Sequence, residues 1–341
     1  MQSTFKHWQA TPRQAPSSQL PQPQPPPPSP QQQPRPLSDS CLRPFQNTRH
    51  NYVFAHGASG FAKNPNKGPT LTPEEDRAYF SVQVGEDSYF RRHDALGVAD
   101  GVGGWSGTTG ANPALYSRKL MHYAFVELEK YDNIEEDAFY DYFNVNPVQI
   151  LQKSYEQSAR DAKKEGLIGS STACLAILRD DELRIANLGD CGVSIIRRNE
   201  FIFRTEEQQH SFNYPYQLGT GSTDSPTDAQ VFTVKVESGD IVVMGTDGIF
   251  DNLFDEDILE EVRQPAYLEK KQYERKIPEP NVISDALAKR AKNVAEDTRH
   301  HGSPFQSRAM QEGLYYQGGK QDDMSVLVAI IKVAEDSPDR R

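Results

Sequence analysis

Five short acidic motifs recur along the chain, and most of them end an apolar run that is typical of a β-strand. They are Glu86-Asp87, Asp100-Gly101, Asp190, Asp247-Gly248 and Asp322-Asp323. A glycine beside the carboxylate lets the backbone turn sharply at the strand end. Carboxylate oxygens suit Mg²⁺ or Mn²⁺, and two such ions can activate water against a phosphate ester. The motifs therefore predict a fold whose strand ends gather acidic side chains around divalent ions.

Each acidic motif also has an ordinary explanation when it is taken singly. An aspartate in a turn commonly accepts a hydrogen bond from a backbone N–H and needs no metal. Coincidence explains five such motifs in one chain less well than it explains a single motif. Bundled carboxylates repel one another unless cations compensate them, so we interpret the set as a metal site.

The body of the chain begins near residue 52, where the composition becomes that of a globular protein. Apolar runs bounded by turn residues predict strands at 79–84, 95–99, 172–178, 182–187, 192–197, 200–204, 230–236, 241–244 and 325–332. Helical periodicity predicts helices at 113–130, 147–165 and 281–298. The strands come in groups with helices between the groups, which favours an α+β fold over repeated βαβ units.

Turn residues indicate how the predicted strands are connected. Tight turns around Asp180 and at Arg198-Asn199 predict two antiparallel hairpins. Two polar stretches, 212–228 and 302–321, are predicted to be long loops. Loops of this length often edge a site, although a simple insertion explains them equally well.

Residues 1–50 differ from the rest of the chain. The segment 11–36 consists mainly of Pro, Gln and Ser, which predicts disorder or polyproline II. Residues 1–50 carry five Lys or Arg and a single acidic residue, as organellar transit peptides do. A transit segment, a plain disordered tail and a ligand for an SH3-like module remain open. We expect a domain at 51–335 and a polar C-terminal tail at 336–341.

Charge and cysteine content exclude several classes of protein. The net charge of −11 argues against a general binder of nucleic acid or anionic membranes. The three cysteines, Cys41, Cys174 and Cys191, show no zinc-type spacing and form no even set for disulfides. No apolar stretch reaches the length of a membrane span. We expect a monomer.

Six sequence motifs, in their order and spacing, resemble the signature of the metal-dependent serine/threonine protein phosphatases, the PP2C family. They are VGEDSYF, GVADGVGG, GSSTACLAIL, IANLGDCGVSI, VVMGTDGIFDNL and QDDMSVLV, between about residues 79 and 333. GVADGVGGW together with GTDGIFDN further resembles the mitochondrial branch of that family. The resemblance implies an antiparallel β-sandwich flanked by helices that dephosphorylates phosphoserine and phosphothreonine in proteins. It also implies a mitochondrial location, with the cytoplasm as the alternative.

The resemblance implies a binuclear site for Mg²⁺ or Mn²⁺. Asp100 would bridge the two ions. Asp247 and Asp322 would complete the coordination of the first ion, and Glu86 with the Gly101 carbonyl that of the second. A hydroxide held between the ions would attack phosphorus in line, so no covalent enzyme intermediate is implied.

Two further carboxylates receive roles from the same resemblance. Asp87 would hold metal-bound water, so that Asp87 and Asp100 are the catalytic candidates. Asp190 would bind a weaker third ion together with Asp247. Phosphoproteins are the substrates that this assignment implies.

Three features depart from the family pattern. The stretch FSVQVG lacks the arginine that often grips the phosphate; Arg91 and Arg92 are candidate substitutes, although a surface turn is expected for both. Val102 stands where many members have His, which leaves the leaving-group acid unassigned. Asp323 stands where Asn is common; we favour Asp322 as the ligand, and Asp323 stays open. The first two features motivate a second hypothesis, a catalytically silent scaffold.

Two other phosphatase-like or hydrolase-like patterns are weaker. Cys191 and Arg197 have the C-x5-R spacing of thiol phosphatases, but the residues between them alternate like a strand. Cys191 is therefore predicted to be a core or edge thiol. GSSTACLA lacks the G-x-S-x-G turn of a nucleophilic serine, and its small residues favour close strand packing instead.

Overall fold

The computed structural model describes residues 51–64, 72–105, 107–268, 279–297 and 302–334. The predicted tails at 1–50 and 336–341 lie outside these residues. The tails and the domain boundaries drawn from them therefore stay predictions.

The strands of the described residues lie mostly in two sheets. They are β1 (Tyr52–Phe61), β2 (Val82–Val84), β3 (Asp87–Arg91), β4 (Ala95–Ala99), β5 (Ser170–Ser171), β6 (Ala173–Arg179), β7 (Glu182–Leu188), β8 (Gly192–Arg197), β9 (Glu200–Arg204), β10 (Gln209–Ser211), β11 (Tyr214–Pro215), β12 (Leu218–Gly219), β13 (Gln230–Lys235), β14 (Ile241–Gly245) and β15 (Met324–Val333). The first sheet has the order β1-β15-β14-β8-β9, and the second has the order β13-β7-β6-β4-β3-β2.

Both sheets are antiparallel throughout. Their facing sides meet in a central core that includes Leu96, Leu183, Val193 and Val242. This core buries one face of each sheet away from water, which is the main favourable term in folding. The architecture confirms the predicted α+β class and the antiparallel sandwich.

Helices cover the outer faces of the sandwich. They are α1 (Pro73–Arg77), α2 (Pro113–Glu129), α3 (Pro147–Glu165), α4 (Asp247–Phe250), α5 (Asp255–Leu268), α6 (Pro280–Glu296) and α7 (Pro304–Gln311). Buried side chains of α2 and α3 pack with those of β4 and β6, whereas α5 and α6 pack on β14 and β15. Among the described helices, none has both the length and the apolar composition that crossing a bilayer requires.

The predicted helices at 113–130 and 147–165 are confirmed as α2 and α3. They could be predicted because their ends carry strong local signals. Asn112 caps α2 by accepting a hydrogen bond from the backbone N–H of Leu115 at 3.0 Å. Gly166 ends α3 in the left-handed conformation with a φ of 68°. The helix predicted at 281–298 corresponds to α6.

Both predicted hairpins are also confirmed, since Asp180, Arg198 and Asn199 have positive φ in tight turns.

β1 was not predicted, and its glycines explain why. The strand pairs with β15 along its whole length, from Tyr52 opposite Val333 to Phe61 opposite Met324. Gly57 interrupts the apolar pattern, yet a Cβ there would lie 2.4 Å from the backbone nitrogen of Asn281 at the start of α6. The residue is therefore small because a helix passes directly over the strand.

The prediction of a loop at 302–321 is wrong for part of this segment. Pro304–Gln311 forms α7 instead of a loop, with Ser303 accepting a hydrogen bond from the N–H of Gln306 at 3.0 Å. Phe305 anchors the helix by packing against Tyr316, with 4.7 Å between the ring centroids. The helices α4 and α5 and the strand β3 were also not predicted.

Buried ion pairs close one end of β4. Asp94, directly before this strand, accepts from Arg92 Nε at 2.9 Å and from Arg179 Nη1 at 2.9 Å. All three side chains are buried. Burial acts to raise the pKa of Asp94, but the two arginines outweigh it and hold the pKa below its usual value.

We expect Asp94→Asn to lower the free energy of unfolding by about 3–5 kcal/mol, because it leaves two buried guanidinium groups without their shared anion. Urea denaturation measures the change. The matched control is Asp132→Asn, since Asp132 also pairs with Arg92 but its side chain is 42% exposed. This variant should lower the free energy of unfolding by less than about 1 kcal/mol. Equal costs for the two variants would contradict the argument.

Candidate metal centre

Five of the predicted acidic side chains lie at the end of the sandwich opposite to Asp94. Asp87 begins β3, and Asp100 directly follows β4, its antiparallel neighbour. Asp190 lies in the turn between β7 and β8, and Asp247 begins α4 after β14. Asp322 lies two residues before β15. Since β8, β14 and β15 are antiparallel neighbours, their ends also meet at this edge.

Carboxylates from both sheets converge at this edge. Oxygens of Asp100, Asp190 and Asp247 all lie within 4.8 Å of one another. Thr246 Oγ1 donates to Asp87 Oδ2 at 2.8 Å and so joins the end of β14 in the first sheet to β3 in the second. The structure thus brings together residues that are more than 140 positions apart in the sequence.

Glu86 lies against the glycine-rich turn that follows β4. The Gly101 N–H donates to the Glu86 carbonyl oxygen at 3.1 Å. A Cβ at Gly101 would lie 2.5 Å from the same oxygen, so a larger residue could not sit there without a shift. A Cβ at Gly103 would lie 3.2 Å from Glu86 Oε2, which shows that the carboxylate faces this turn. Glu86 and Asp100 therefore share one side of the site.

Asp322 and Asp323 have different surroundings. The Asp323 carboxylate accepts from the backbone N–H groups of Lys63 at 2.7 Å and of Glu86 at 2.8 Å. It therefore fixes two neighbouring loops. Asp322 Oδ1 accepts a hydrogen bond from the backbone N–H of Asp323 at 3.0 Å and lies 3.9 Å from Lys63 Nζ, whereas Asp322 Oδ2 lies 3.2 Å from Lys320 Nζ. Asp323 thus uses both oxygens on backbone N–H groups and Asp322 uses one, which favours Asp322 as the cation ligand.

The site carries more negative charge than the surrounding protein compensates. The pKa of Asp100 is raised well above its usual value by burial and then by the charge of Asp247. Burial also raises the pKa of Asp190, and Asp247 adds to the effect. For Asp87 the causes are burial and then the charge of Asp323. Each of these three carboxyl groups would therefore be more stable in its neutral form, or in its charged form beside a cation.

Buried oxygens point to the kind of group that fits here. Asp87 Oδ1, Asp190 Oδ1 and Asp247 Oδ1 are buried and accept no hydrogen bond from the residues that the structure describes. A buried acceptor without a partner is costly. Hard divalent cations such as Mg²⁺ or Mn²⁺ bind such carboxylate oxygens. The residues present therefore fit the metal that the sequence predicted.

Lys320 and Asp251 also lie at this site, although neither was predicted from the sequence. Lys320 Nζ contacts Asp247 and lies 2.8 Å from Asp251 Oδ2. Burial acts to raise the pKa of Asp247, but the Lys320 ammonium outweighs it and holds the pKa below its usual value. Burial raises the pKa of Asp251 to about 7, although Lys320 and Arg308 oppose the shift. The spacing gave a signal, because Asp251 stands one helical turn after Asp247.

The two arginines suggested as phosphate ligands do not reach this site. Arg92 is buried in the ion pairs with Asp94 and Asp132, so the expectation that it is a surface cation was wrong. Arg91 is exposed as expected, but it ends β3, whereas Asp87 begins that strand. Strand geometry therefore separates Arg91 from the carboxylates by about 13 Å, at about 3.3 Å per residue.

Cys191 is a buried thiol, as predicted. Its Sγ lies 3.1 Å from Thr172 Oγ1. Burial raises the pKa of the thiol well above its usual value, and the charge of Asp100 adds to the effect. A nucleophilic cysteine needs the opposite shift, so this residue does not support thiol-phosphatase chemistry.

Comparisons with known sequences agree on one kind of protein. A family model described as Stage II sporulation protein E (SpoIIE) matches residues 95–332. The chain is 36% identical over 300 residues to the Protein phosphatase PTC7 homolog of Xenopus laevis, covering 84% of this chain and 92% of that protein. It is 37% identical over 250 residues to the Probable protein phosphatase 2C 80 of Arabidopsis thaliana, covering 72% of this chain. The chain spans about half, 54%, of the length of that plant relative.

Solved structures show the same fold. The X-ray structure of the photosystem II phosphatase PBCP superposes with a TM-score of 0.63 at 29% identity, covering 82% of this chain and 100% of that chain. The catalytic domain of the serine threonine protein phosphatase PstP, in complex with two manganese ions, gives a TM-score of 0.51 at 17% identity. That match covers 82% of this chain and 99% of that chain, and it shows the fold alone.

We expect Asp100→Asn to stabilise the metal-free protein. The pKa of Asp100 is raised in the folded state, so the folded protein binds this proton more tightly than the unfolded chain does. The resulting contribution to the free energy of unfolding is fully present below about pH 4, near the ordinary pKa of Asp, and is lost as the pH rises. In EDTA at pH 7 the variant's Tm should exceed that of the wild type by at least about 2–4 °C, which corresponds to 1 kcal/mol. Differential scanning fluorimetry measures the difference.

The control for this measurement is Asp141→Asn, which removes an exposed carboxylate and should leave the Tm unchanged. The advantage of Asp100→Asn should shrink as the pH is lowered toward 4. An Asp100→Asn protein no more stable than the wild type at pH 7 would show that this charge does not oppose folding.

Proposed function

Because the chain belongs to the PP2C family of protein phosphatases, we propose that it hydrolyses phosphoserine and phosphothreonine in protein substrates at a site for two divalent ions. The observation that carries the proposal is that carboxylate oxygens of Asp100, Asp190 and Asp247 lie within 4.8 Å of one another, and that Oδ1 of Asp190 and Oδ1 of Asp247 are buried without a hydrogen-bond partner among the described residues. Such an arrangement is costly for a protein that binds no cation.

The proposed ligands follow from their positions. Asp100 lies centrally, since its carboxylate is close to Asp247 and on the same side of the site as Glu86. We assign Asp247 and Asp322 to the first ion, and Glu86 with the Gly101 carbonyl to the second. Asp100 would then bridge the ions. The Asp322 assignment is supported by Asp323, whose oxygens are already occupied by backbone N–H groups.

Asp87 and Asp190 would act at the edges of this site. Thr246 holds one oxygen of Asp87 at 2.8 Å, which fixes the orientation of the carboxylate. The other oxygen, Oδ1, has no hydrogen-bond donor among the described residues and can accept from a water at the site. Asp87 would thus orient the attacking water. Asp190, beside Asp247, would hold a weaker third ion.

Two divalent ions would lower the pKa of a water molecule and neutralise charge on the phosphoryl oxygens. The described residues contribute the positioning of these groups. The strands β3, β4 and β14 hold the carboxylates in place before any ligand arrives, so little reorganisation is needed during the reaction. We favour Mg²⁺ or Mn²⁺ over softer metals, because the donor set consists of oxygens.

The proposed location is the mitochondrion. Its support is the sequence of residues 1–50, which is rich in Arg and Ser and poor in acids, together with the motif GVADGVGGW. Phosphoproteins would be the substrates.

We expect the full-length chain to dephosphorylate a phosphothreonine peptide only when Mn²⁺ or Mg²⁺ is present, and EDTA should abolish the turnover. Asp247→Asn should lower kcat by at least about 100-fold, comparable to the loss of one strong electrostatic group in an active site. Asp141→Asn, which alters an exposed carboxylate, should retain the activity of the wild type. Release of inorganic phosphate is the measurement.

Absence of metal-dependent turnover in the wild type would instead favour the silent scaffold. A scaffold would keep its protein partners after Asp247→Asn, and it would release no phosphate from the peptide or from p-nitrophenyl phosphate. Equal turnover by the wild type and Asp247→Asn would reject the proposed ligand set.

A fusion of residues 1–50 to a fluorescent protein should direct the reporter to mitochondria, because the segment combines basic residues with an almost complete lack of acids. Fluorescence microscopy with a mitochondrial marker is the measurement. Replacing the five basic residues of this segment by Gln gives the control and should leave the reporter diffuse. A diffuse signal from the unaltered segment would contradict the transit role.

A further inference from the structure

The Lys320 ammonium lies among the carboxylates of the metal centre. Its Nζ is 3.2 Å from Asp322 Oδ2 and 2.8 Å from Asp251 Oδ2, and it also contacts Asp247. The side chain is only 14% exposed. An ammonium with three carboxylate partners is a built-in cation at a place where the proposed function requires a metal ion.

The backbone fixes Lys320 in this position. Asn252, the second residue after α4, accepts a hydrogen bond from the Lys320 N–H at 2.9 Å and donates one to the Lys320 carbonyl at 2.9 Å. A Cβ at the preceding Gly319 would lie 2.4 Å from the carbonyl oxygen of Val294 in α6, so the chain passes close to that helix. The lysine therefore enters the site from a clamped segment.

The ammonium and a metal ion would compete for the same oxygens. Two of the three carboxylates that hold Lys320, Asp247 and Asp322, are the proposed ligands of the first ion. Two positive charges held about 4 Å apart repel each other, and the repulsion is stronger for a divalent ion than for a monovalent one. Lys320 and the ion could not both keep close contact with Asp247 and Asp322 without this cost.

Asp251 offers the ammonium a partner that is not a proposed ligand of the first ion. Its carboxylate is buried. Arg308 contacts its other oxygen, Oδ1, and lies 2.9 Å from Glu207. Asp251 is thus held by α7, outside the cluster formed by Asp100, Asp190 and Asp247. Lys320 can keep this partner when it leaves the other two.

We propose that Lys320 is an internal counter-ion of the metal-free protein that is displaced from Asp247 and Asp322 as the first divalent ion binds. The lysine lowers repulsion in the empty site and keeps that state folded. The same interactions must be broken for the ion to enter, so Lys320 sets the metal affinity below the value that the carboxylates alone would give. This inference rests on the proposed function, because it assumes that the carboxylates bind a metal.

The test compares Lys320→Met with the wild type in the full-length chain, stripped of metal with EDTA and dialysed. Isothermal titration calorimetry with Mn²⁺ should show a Kd for the variant at least about tenfold lower. Fluorimetry without metal should show a Tm lower by more than about 4 °C, since the carboxylates lose their cation. Saturating Mn²⁺ should remove this difference in Tm.

The matched control is Lys235→Met. Lys235 also pairs with two carboxylates, Asp181 at 2.7 Å and Glu182 at 3.3 Å, but it is 66% exposed and lies on β13. Neither the Mn²⁺ affinity nor the metal-dependent change in Tm should differ from that of the wild type. Lys320→Gln, which removes the charge and keeps a polar side chain, should repeat the behaviour of Lys320→Met.

Each outcome decides the question. An unchanged or weaker Mn²⁺ affinity in both Lys320 variants would overturn the inference, as would a loss of stability that Mn²⁺ does not restore. A variant that is unfolded without metal and folds when Mn²⁺ is added would support it. If the wild type itself binds no Mn²⁺, the proposed function fails as well. If the wild type binds Mn²⁺ and releases phosphate but the variants bind no tighter, the inference alone fails.

Discussion

Repulsion between carboxylates crowded at one end of the β-sandwich is the constraint that the rest of the structure must satisfy. Asp100, Asp190 and Asp247 come from three separate strand ends and stay within 4.8 Å of one another. The strands hold them there because each is fixed by antiparallel neighbours and by the core between the sheets. The hydrogen bond from Thr246 to Asp87 adds a direct link between the two sheets. Folding energy from the core thus offsets the cost of the site.

The two ends of β4 show opposite solutions to the burial of charge. At one end Asp94 is shared by two buried arginines, and its pKa is held below the usual value. At the other end the pKa of Asp100 is raised by burial and by neighbouring carboxylates. An ion pair with balanced charge stabilises the fold, whereas an excess of negative charge creates a binding site for a cation from solution. The Lys320 ammonium compensates part of this negative charge from within the chain.

Local sequence signals determined much of the secondary structure. Asn112 and Gly166 mark helix ends by their own conformations, and the hairpin at Arg198-Asn199 needs only its turn residues. β1 escaped prediction because Gly57 is small for a tertiary reason, the close passage of α6. α7 carried a recognisable Ser303-Pro304 start, but the polar composition of 302–321 hid it. Local reasoning failed mainly where distant elements decide what a residue must be.

The sequence by itself identified Asp100, Asp190 and Asp247 as members of one acidic cluster, because strand-ending acidic motifs and their order are visible without coordinates. It also determined the family. Only the tertiary structure decided that Asp323 is occupied by backbone N–H groups whereas Asp322 faces the site. It alone brought Lys320 and Asp251 into that site and placed Arg92 in a buried ion pair elsewhere. The reason is physical, since charge interactions depend on distance and burial, and neither is a property of neighbours along the chain.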